Sequence, residues 1–246
     1  MPRDLATHSA LPAVRRTYKN VSHRPAGSAF ALLLDGTPAR TPARAELVVP
    51  TSALAAAIAE EWNAQGEQIR PAEMPLTQLA FTALDRVALL REETERTLLA
   101  YGDTDLVCHR ATGPADLVVR QRSLWDPLLD WLAQRYGARL TVTAGILPAA
   151  QPADAIAALA RTLGERDLHG LTALSGAAGV LGSLVVALAL LDGQIDADRA
   201  FEASQLDETF QMEQWGEDAE AAARRIGLHR EIAAIARYAH LSRQAG

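Results

Sequence analysis

The feature that most constrains this chain is a stretch without a single charged side chain, residues 171–191. A run of that length fits either a membrane-spanning helix or the central helix of a bundle, buried on all sides. Small residues weaken its hydrophobicity: Ser175, Gly176, Gly179, Gly182 and Ser183. Asp192 follows the stretch, at the place where a membrane span carries basic anchors. The sequence therefore predicts a buried central helix, within a longer helix over residues 167–191, and no stable membrane insertion.

Up to Asp85 the pattern predicts a small β-sheet with helices packed against it. The apolar run of residues 30–34 ends at Asp35-Gly36, which is a hairpin signal. Residues 46–49 form a further candidate strand.

The first helix is expected directly after these strands, with Thr51 or Ser52 as its N-cap. Leu54, Ile58 and Trp62 recur at helical spacing and share one face. Trp62 is therefore predicted to be a structural residue that packs in the core.

Further along, the helical period dominates the sequence. Helices are predicted over residues 76–90, 92–100, 115–136, 152–164, 196–215 and 217–243, with short extended segments at 106–110 and 139–143. Pro127 is expected to kink or restart its helix, with Asp126 as the new cap. The predicted fold class is α+β. It comprises a β-rich N-terminal domain with packed helices, residues 1–85, and an all-α helical bundle domain, residues 86–246.

Composition excludes several classes of protein. The net charge of −6 and a pI near 5.5 argue against nucleic acid as the main partner. Cys108 is the only cysteine, so an intramolecular disulfide is excluded. Lys19 is the only lysine, so the chain has no phosphate-binding P-loop lysine. The six histidines include no pair at metal-binding HxxxH spacing, and neither a metal nor a cofactor is expected.

One short segment keeps an enzymatic interpretation open. Asp103-Thr104-Asp105 resembles a DxD motif that binds a divalent metal, and Arg110 follows shortly after it. An enzyme acting on a phosphorylated small molecule could use such a set. Aspartates in a loop more often cap backbone amides, so Asp103 and Asp105 are predicted to be structural. Cys108 is likewise expected to be a buried structural thiol.

The most informative segment is strongly acidic. Residues 192–220 hold ten acidic residues against Arg199 alone, a net charge of −9. On a helix, Ala203, Leu206 and Phe210 share an apolar face. The opposite face is mixed and carries Glu208, Gln211, Met212 and Trp215. An indole and a methionine beside a carboxylate suit an interaction surface. Alternatively a second helix covers this face and buries Trp215, and both interpretations remain open.

Five blocks of the chain, in this order, resemble a known family. They span residues 60–85, 101–111, 124–146, 171–195 and 206–221, the last reading LDETFQMEQWGEDAEA. The family is that of the assembly chaperones that bind the alpha subunit of the ATP synthase catalytic head. The preference for arginine over lysine, and the lack of a clear transit peptide, favour an alpha-proteobacterial member.

The resemblance implies a β-rich N-terminal and a helical C-terminal domain. It also implies binding of unassembled alpha subunit before it joins the beta subunit, without catalytic activity. The protein is expected to be a monomer in the bacterial cytoplasm, which corresponds to the matrix in mitochondrial relatives. The residues assigned to partner binding are Glu208, Gln211, Met212, Trp215 and Gly216. Trp62 matches the early motif but is interpreted as structural, as is Asp85, which ends the first block.

Overall fold

The computed structural model describes residues 14–145, 149–216 and 218–244. Its strands are β1 (Val14–Arg15), β2 (Val21–Ala26), β3 (Ala29–Leu34), β4 (Thr37–Pro38), β5 (Val48–Val49), β6 (Gln68–Ile69), β7 (His109–Arg110) and β8 (Thr143–Ala144). Its α-helices are α1 (Ser52–Asn63), α2 (Pro75–Thr82), α3 (Arg91–Ala100), α4 (Ala115–Tyr136), α5 (Ala153–Gly164), α6 (Leu168–Leu181), α7 (Leu184–Leu191), α8 (Ala197–Ser204), α9 (Leu206–Trp215) and α10 (Ala219–Leu241). The longer strands come early and helices dominate later, so the predicted α+β fold class is confirmed.

The chain forms two compact units. The first comprises the chain up to Arg91, together with Leu168–Ala173 and the end of the chain from Arg237. The second comprises Glu92–Asp167 and Leu174–Ala236. The division into domains at residues 85 and 86 stays a prediction.

The sheet of the first unit is built on an antiparallel hairpin, in which β2 and β3 pair along their whole length. β3 also pairs with β4 and with β5. Asp35 and Gly36 join β3 to β4 with φ of 48° and 83°, the left-handed backbone of a tight hairpin turn, so the predicted hairpin signal is confirmed. The strand expected over residues 46–49 is shorter, since Glu46 makes only an isolated bridge with Arg40.

Helix α1 packs on this hairpin through the predicted face. The hydroxyl of Thr51 accepts a hydrogen bond from the Leu54 N–H at 3.1 Å and caps the helix. Leu54, Ile58 and Trp62 are buried. The Tyr18 ring lies 5.5 Å from the Trp62 ring, and the Tyr18 hydroxyl donates to the Trp62 carbonyl at 2.9 Å.

The single helix expected over residues 167–191 is wrong, because the structure has two helices there. Gly182 has a φ of 66°, which ends α6, and the Ser183 hydroxyl then caps α7 by accepting from the Val186 N–H at 3.0 Å. Every residue of α7 is buried, so this stretch does lie in the core as predicted. Within the part of the chain that the structure describes, no helix is long and apolar enough to cross a membrane.

The expected restart of a helix at Pro127 is also wrong. α4 continues through Pro127, and Asp126 does not cap a helix but binds the Arg110 guanidinium at 2.7 Å. Trp125 and Leu128, on either side of the proline, are both buried. Their burial outweighs the roughly 3 kcal/mol penalty of an interior proline.

The helix predicted over residues 196–215 is divided into α8 and α9. The break is at Gln205, which has a φ of −110° and a ψ of 19°. The Ala203 carbonyl, which would accept an N–H in a continuous helix, accepts instead from the Trp125 indole at 2.9 Å. A bond from another element therefore takes the place of the local one.

The two short extended segments are only partly as predicted. Within residues 106–110, Leu106–Cys108 form a 3₁₀ turn because the Asp105 carboxylate accepts from the Val107 N–H at 3.2 Å. Only β7 is extended there, and it pairs in parallel with β8. β8 overlaps the strand expected over residues 139–143 at Thr143 alone and ends one residue later, at Ala144.

Candidate functional site

Helix α9 presents one face to the protein and one to solvent. Leu206 and Phe210 are buried on the inner face, as their spacing predicts. Trp215 is 80% exposed, which decides between the two interpretations of its helix. Gly216, with a φ of 87°, ends the helix and donates its N–H to the Met212 carbonyl at 2.8 Å. The outer face is therefore open, with a large aromatic side chain at its C-terminal end.

The outer face of α9 and the start of α10 enclose a groove of about 550 Å³. The structure brings all five predicted partner-binding residues into its lining: Glu208, Gln211, Met212, Trp215 and Gly216. The other lining residues were missed by the sequence reasoning: Val180, Gln205, Ala221, Arg224, Arg225 and Leu228. We refer to this feature as the α9–α10 groove.

The acidic residues of α9 divide into two groups. Glu213 forms a two-pronged ion pair with Arg120 of α4, at 2.9 and 2.7 Å. Asp207 accepts from the Gln121 amide, also on α4, at 2.8 Å. The Glu208 side chain is exposed, and its carboxylate has neither a hydrogen bond nor an ion pair to the residues that the structure describes. Of the three α9 carboxylates, the one that lines the groove is therefore the one without a partner in the described part of the chain.

The opposite wall of the groove is basic. Arg225 donates to the Thr209 hydroxyl at 3.2 Å, and its guanidinium lies 5.0 Å from the centre of the Phe201 ring. Arg224 is exposed and makes no ion pair with residues 14–145, 149–216 or 218–244. Arginines 224 and 225 could have been noticed, since they lie one helical turn before Leu228, where apolar residues begin to recur at helical spacing along α10.

The Asp103–Asp105 segment does not form an accessible site. Asp105 is fully buried and accepts hydrogen bonds from the Ser183 hydroxyl at 2.5 Å, the Leu184 N–H at 2.8 Å and the Val185 N–H at 3.1 Å. It thereby fastens the start of α7. Burial raises the pKa of this carboxyl to about 6, against the opposing effect of its hydrogen bonds. Asp103 is exposed on a neighbouring turn.

The other chemically active residues near this segment are also committed to the fold. Arg110 is almost completely buried, bonds to Asp126, donates from Nε to the Val107 carbonyl at 3.0 Å and lies over the Trp125 ring. Cys108 is buried, and desolvation raises the pKa of its thiol to about 12, so it is not a thiolate nucleophile at neutral pH. Among the described residues no cluster of three or more His, Cys, Asp or Glu could hold a metal ion. The structure gives no support to the enzymatic alternative.

Two carboxylates of the first unit fasten loops and helix ends. Asp85 accepts from the Thr41 hydroxyl at 2.6 Å and from the Ala43 N–H at 2.9 Å, which holds the loop before β5. Glu61 was missed by the sequence reasoning. Its carboxylate accepts from the Leu76 N–H at 2.8 Å, and from the N–H of Thr77 at 2.9 Å and its hydroxyl at 2.7 Å, so it caps α2. Burial raises the pKa of Glu61.

The chain is similar to proteins of one family. The family model described as ATP12 chaperone protein matches residues 15–133. The mitochondrial protein atp12 of Schizosaccharomyces pombe is 25% identical over 217 residues, which cover 83% of this chain and 75% of that protein. The crystal structure of Atp12 from Paracoccus denitrificans is 40% identical with a TM-score of 0.89, over 96% of this chain and 99% of that one. A structure from Agrobacterium tumefaciens is 36% identical with a TM-score of 0.86, over 96% of this chain and 91% of that one.

Proposed function

The chain belongs to the ATP12 chaperone family, and from this premise we propose that it binds the unassembled alpha subunit of the ATP synthase catalytic head. The bound alpha subunit is kept from aggregating until it joins the beta subunit. An unassembled subunit exposes an interface that stays apolar and prone to aggregate until its neighbour covers it. A protein that covers this interface reversibly removes the hazard without blocking later assembly.

The observation that carries the proposal is the outer face of α9. Trp215, which is 80% exposed, lines the groove together with the half-buried Met212 and with Glu208, whose carboxylate has no partner among the residues that the structure describes. Tryptophan is enriched among the residues that dominate protein interfaces. Leaving its indole in water has no benefit for the isolated fold, so a partner surface is the natural occupant of this face.

The surrounding charge suits capture and release. Residues 192–220 carry a net charge of −9, which raises the association rate with a basic surface more than it raises final affinity. A contact that combines a few apolar anchors with exposed charges dissociates more readily than a large apolar interface. The chaperone therefore yields to the beta subunit, whose interface with alpha is permanent.

The remaining parts of the proposal follow from the same role. The protein acts as a monomer in the bacterial cytoplasm, with no catalytic step and no cofactor. Support comes from the internal use of the residues an enzyme would need, since Asp105 and Arg110 are both buried and bonded within the fold.

The experiment that tests the proposal is charge reversal at Glu208. Glu208→Lys should leave α9 intact, because lysine is as good a helix former as glutamate. If Glu208 meets a basic group of the alpha subunit, the reversal costs on the order of 2–5 kcal/mol of binding free energy. That corresponds to roughly thirtyfold or more in affinity. The measurement is light scattering of alpha subunit refolding in the presence of increasing chaperone, with a circular-dichroism melt of each variant.

Glu220→Lys is the matched control. Glu220 is exposed, lies at the start of α10 outside the groove lining, and its reversal changes the net charge equally. It should protect the alpha subunit like wild type. A folded Glu208→Lys protein that suppresses aggregation at wild-type concentrations would refute the assigned contact. Wild-type protein that leaves alpha-subunit aggregation unchanged would refute the proposed function.

A further inference from the structure

The α9–α10 groove has charges of opposite sign on its two walls. Glu208 belongs to α9 and Arg224 to α10, and neither has an ion-pair partner among the residues that the structure describes. Their neighbours differ, because Glu213 pairs with Arg120 and Arg225 bonds to Thr209. Helices α9 and α10 thus each present to the groove one charge that forms no ion pair with the described residues.

The groove lining also includes apolar side chains that are only partly covered. Met212 of α9, Leu228 of α10 and Val180 of α6 are each half-buried. Leu228 lies one helical turn before Ile232, which is completely buried. The groove therefore continues the inward face of α10 beyond the point where the chain's own core covers it.

The size of the groove limits what can fill it. Its volume of about 550 Å³ lies in the range in which proteins enclose a drug-sized molecule. That space accepts a few side chains of one short segment, not a folded domain. The exposed indole of Trp215 also lines the groove and offers an aromatic surface to the bound segment.

We propose that the groove binds a short amphipathic segment of the alpha subunit and that three side chains of this segment fit the groove. An apolar side chain packs between Met212 and Leu228, a basic residue before or after it pairs with Glu208, and an acidic residue on its other side pairs with Arg224. This inference rests on the proposed function, since it assumes that alpha subunit is the partner. Opposite charges on opposite walls fix the direction in which the segment lies, because the reversed orientation places like charges together.

The test uses overlapping synthetic peptides that cover the alpha subunit of the same organism. Each labelled peptide is titrated with the full-length chaperone, and binding is followed by fluorescence anisotropy. One peptide, or two that overlap, should bind, and each should contain the apolar residue between a base and an acid. Glu208→Lys and Arg224→Glu should each weaken its binding by about tenfold or more, since each replaces an attraction by a repulsion.

Charge exchange makes the test specific. A peptide with its basic and acidic residues interchanged should bind wild type poorly and should bind the Glu208→Lys/Arg224→Glu double variant well. Glu220→Lys serves as the charge-matched control, and a circular-dichroism melt confirms that every variant is folded. Restored binding of the exchanged peptide cannot result from a variant that is damaged elsewhere.

The two levels of the proposal fail in different ways. If wild type keeps alpha subunit soluble but no peptide binds, or if the bound peptide ignores both reversals, the inference is wrong and the proposed function stands. If wild type affects neither the alpha subunit nor any peptide, the proposed function fails and the inference with it. Self-association that Trp215→Ala abolishes, or binding of a peptide of residues 1–13, would assign the groove to this chain itself.

Discussion

Protonation of the buried Asp105 should raise the free energy of unfolding in mild acid relative to neutral pH, in addition to the effect of the other titrating groups. Burial raises the pKa of this carboxyl to about 6, whereas an aspartate in the unfolded chain titrates near 3.8. A folded-state pKa above the unfolded one contributes stability that is fully present below the unfolded pKa and is lost as pH rises through the folded pKa. Each pKa unit corresponds to about 1.4 kcal/mol, so this residue contributes roughly 3 kcal/mol at low pH, of which about 1.4 remains at pH 5 and almost none at pH 7.

The perturbation is Asp105→Asn, measured by urea unfolding at about pH 5 and pH 7. The asparagine carries no titrating proton but keeps an acceptor oxygen for the Ser183 hydroxyl or a backbone N–H of α7. We expect the wild-type free energy of unfolding to rise on going from pH 7 to pH 5 by about 1.4 kcal/mol more than that of the variant. Comparing the two proteins cancels the contribution of all other titrating groups.

Asp103→Asn is the matched control, two residues away on the same segment and exposed. It should follow the wild-type pH dependence, because an exposed carboxylate gains little from burial or from bonds to the fold. Parallel pH profiles for wild type and Asp105→Asn would refute the reasoning. They would mean that the hydrogen bonds from Ser183 and α7 offset desolvation and keep Asp105 ionised.

Three further predictions concern the fold. Trp62→Ala should cost roughly 3–5 kcal/mol and lower the yield of folded protein, whereas an unchanged thermal midpoint with lost binding would assign Trp62 to the partner. Gly182→Ala should destabilise the protein by about 1–2 kcal/mol because the φ there is 66°. Gly179→Ala, inside α6 with free space for an added Cβ, should stabilise it by about 0.5–1 kcal/mol. Urea unfolding measures both changes, and equal effects would contradict the helix break at Gly182. The protein should purify without detergent, and recovery only from detergent-extracted membranes would overturn the burial of α7.

Local patterns predicted the elements whose stability comes from their own residues. The apolar face of α1, with its Thr51 cap, follows directly from periodicity and capping. The amphipathic division of α9 follows from the same rule. The break at Gly182 also carried a local signal, since a glycine followed by a serine matches a helix end and a new N-cap. The uncharged character of the stretch outweighed that signal in the prediction.

Other features depend on bonds between distant residues, which one sequence does not encode visibly. The Asp105 carboxylate bonds to Ser183, 78 residues away. The Trp125 indole takes the Ala203 carbonyl and thereby helps to end α8, also 78 residues away. Burial on both sides of Pro127 allows α4 to continue. In each case tertiary contacts outweigh a local preference of a few kcal/mol at most.

The α9–α10 groove likewise depends on residues that are distant in sequence, so the sequence predicted only one of its two walls. Periodicity places Glu208 and Trp215 on one side of α9, but it does not show which surface lies opposite. Arg224 lines the same groove because the first part of α10 lies close to α9, where Arg225 contacts Thr209. A net charge of −9 over residues 192–220 suggests a uniformly acidic surface, yet Asp207 and Glu213 are bonded to α4. In the proposed binding mode, Glu208 and Arg224 select the partner as a local pair of opposite charges without ion-pair partners among the described residues, and the excess negative charge acts on the rate of encounter.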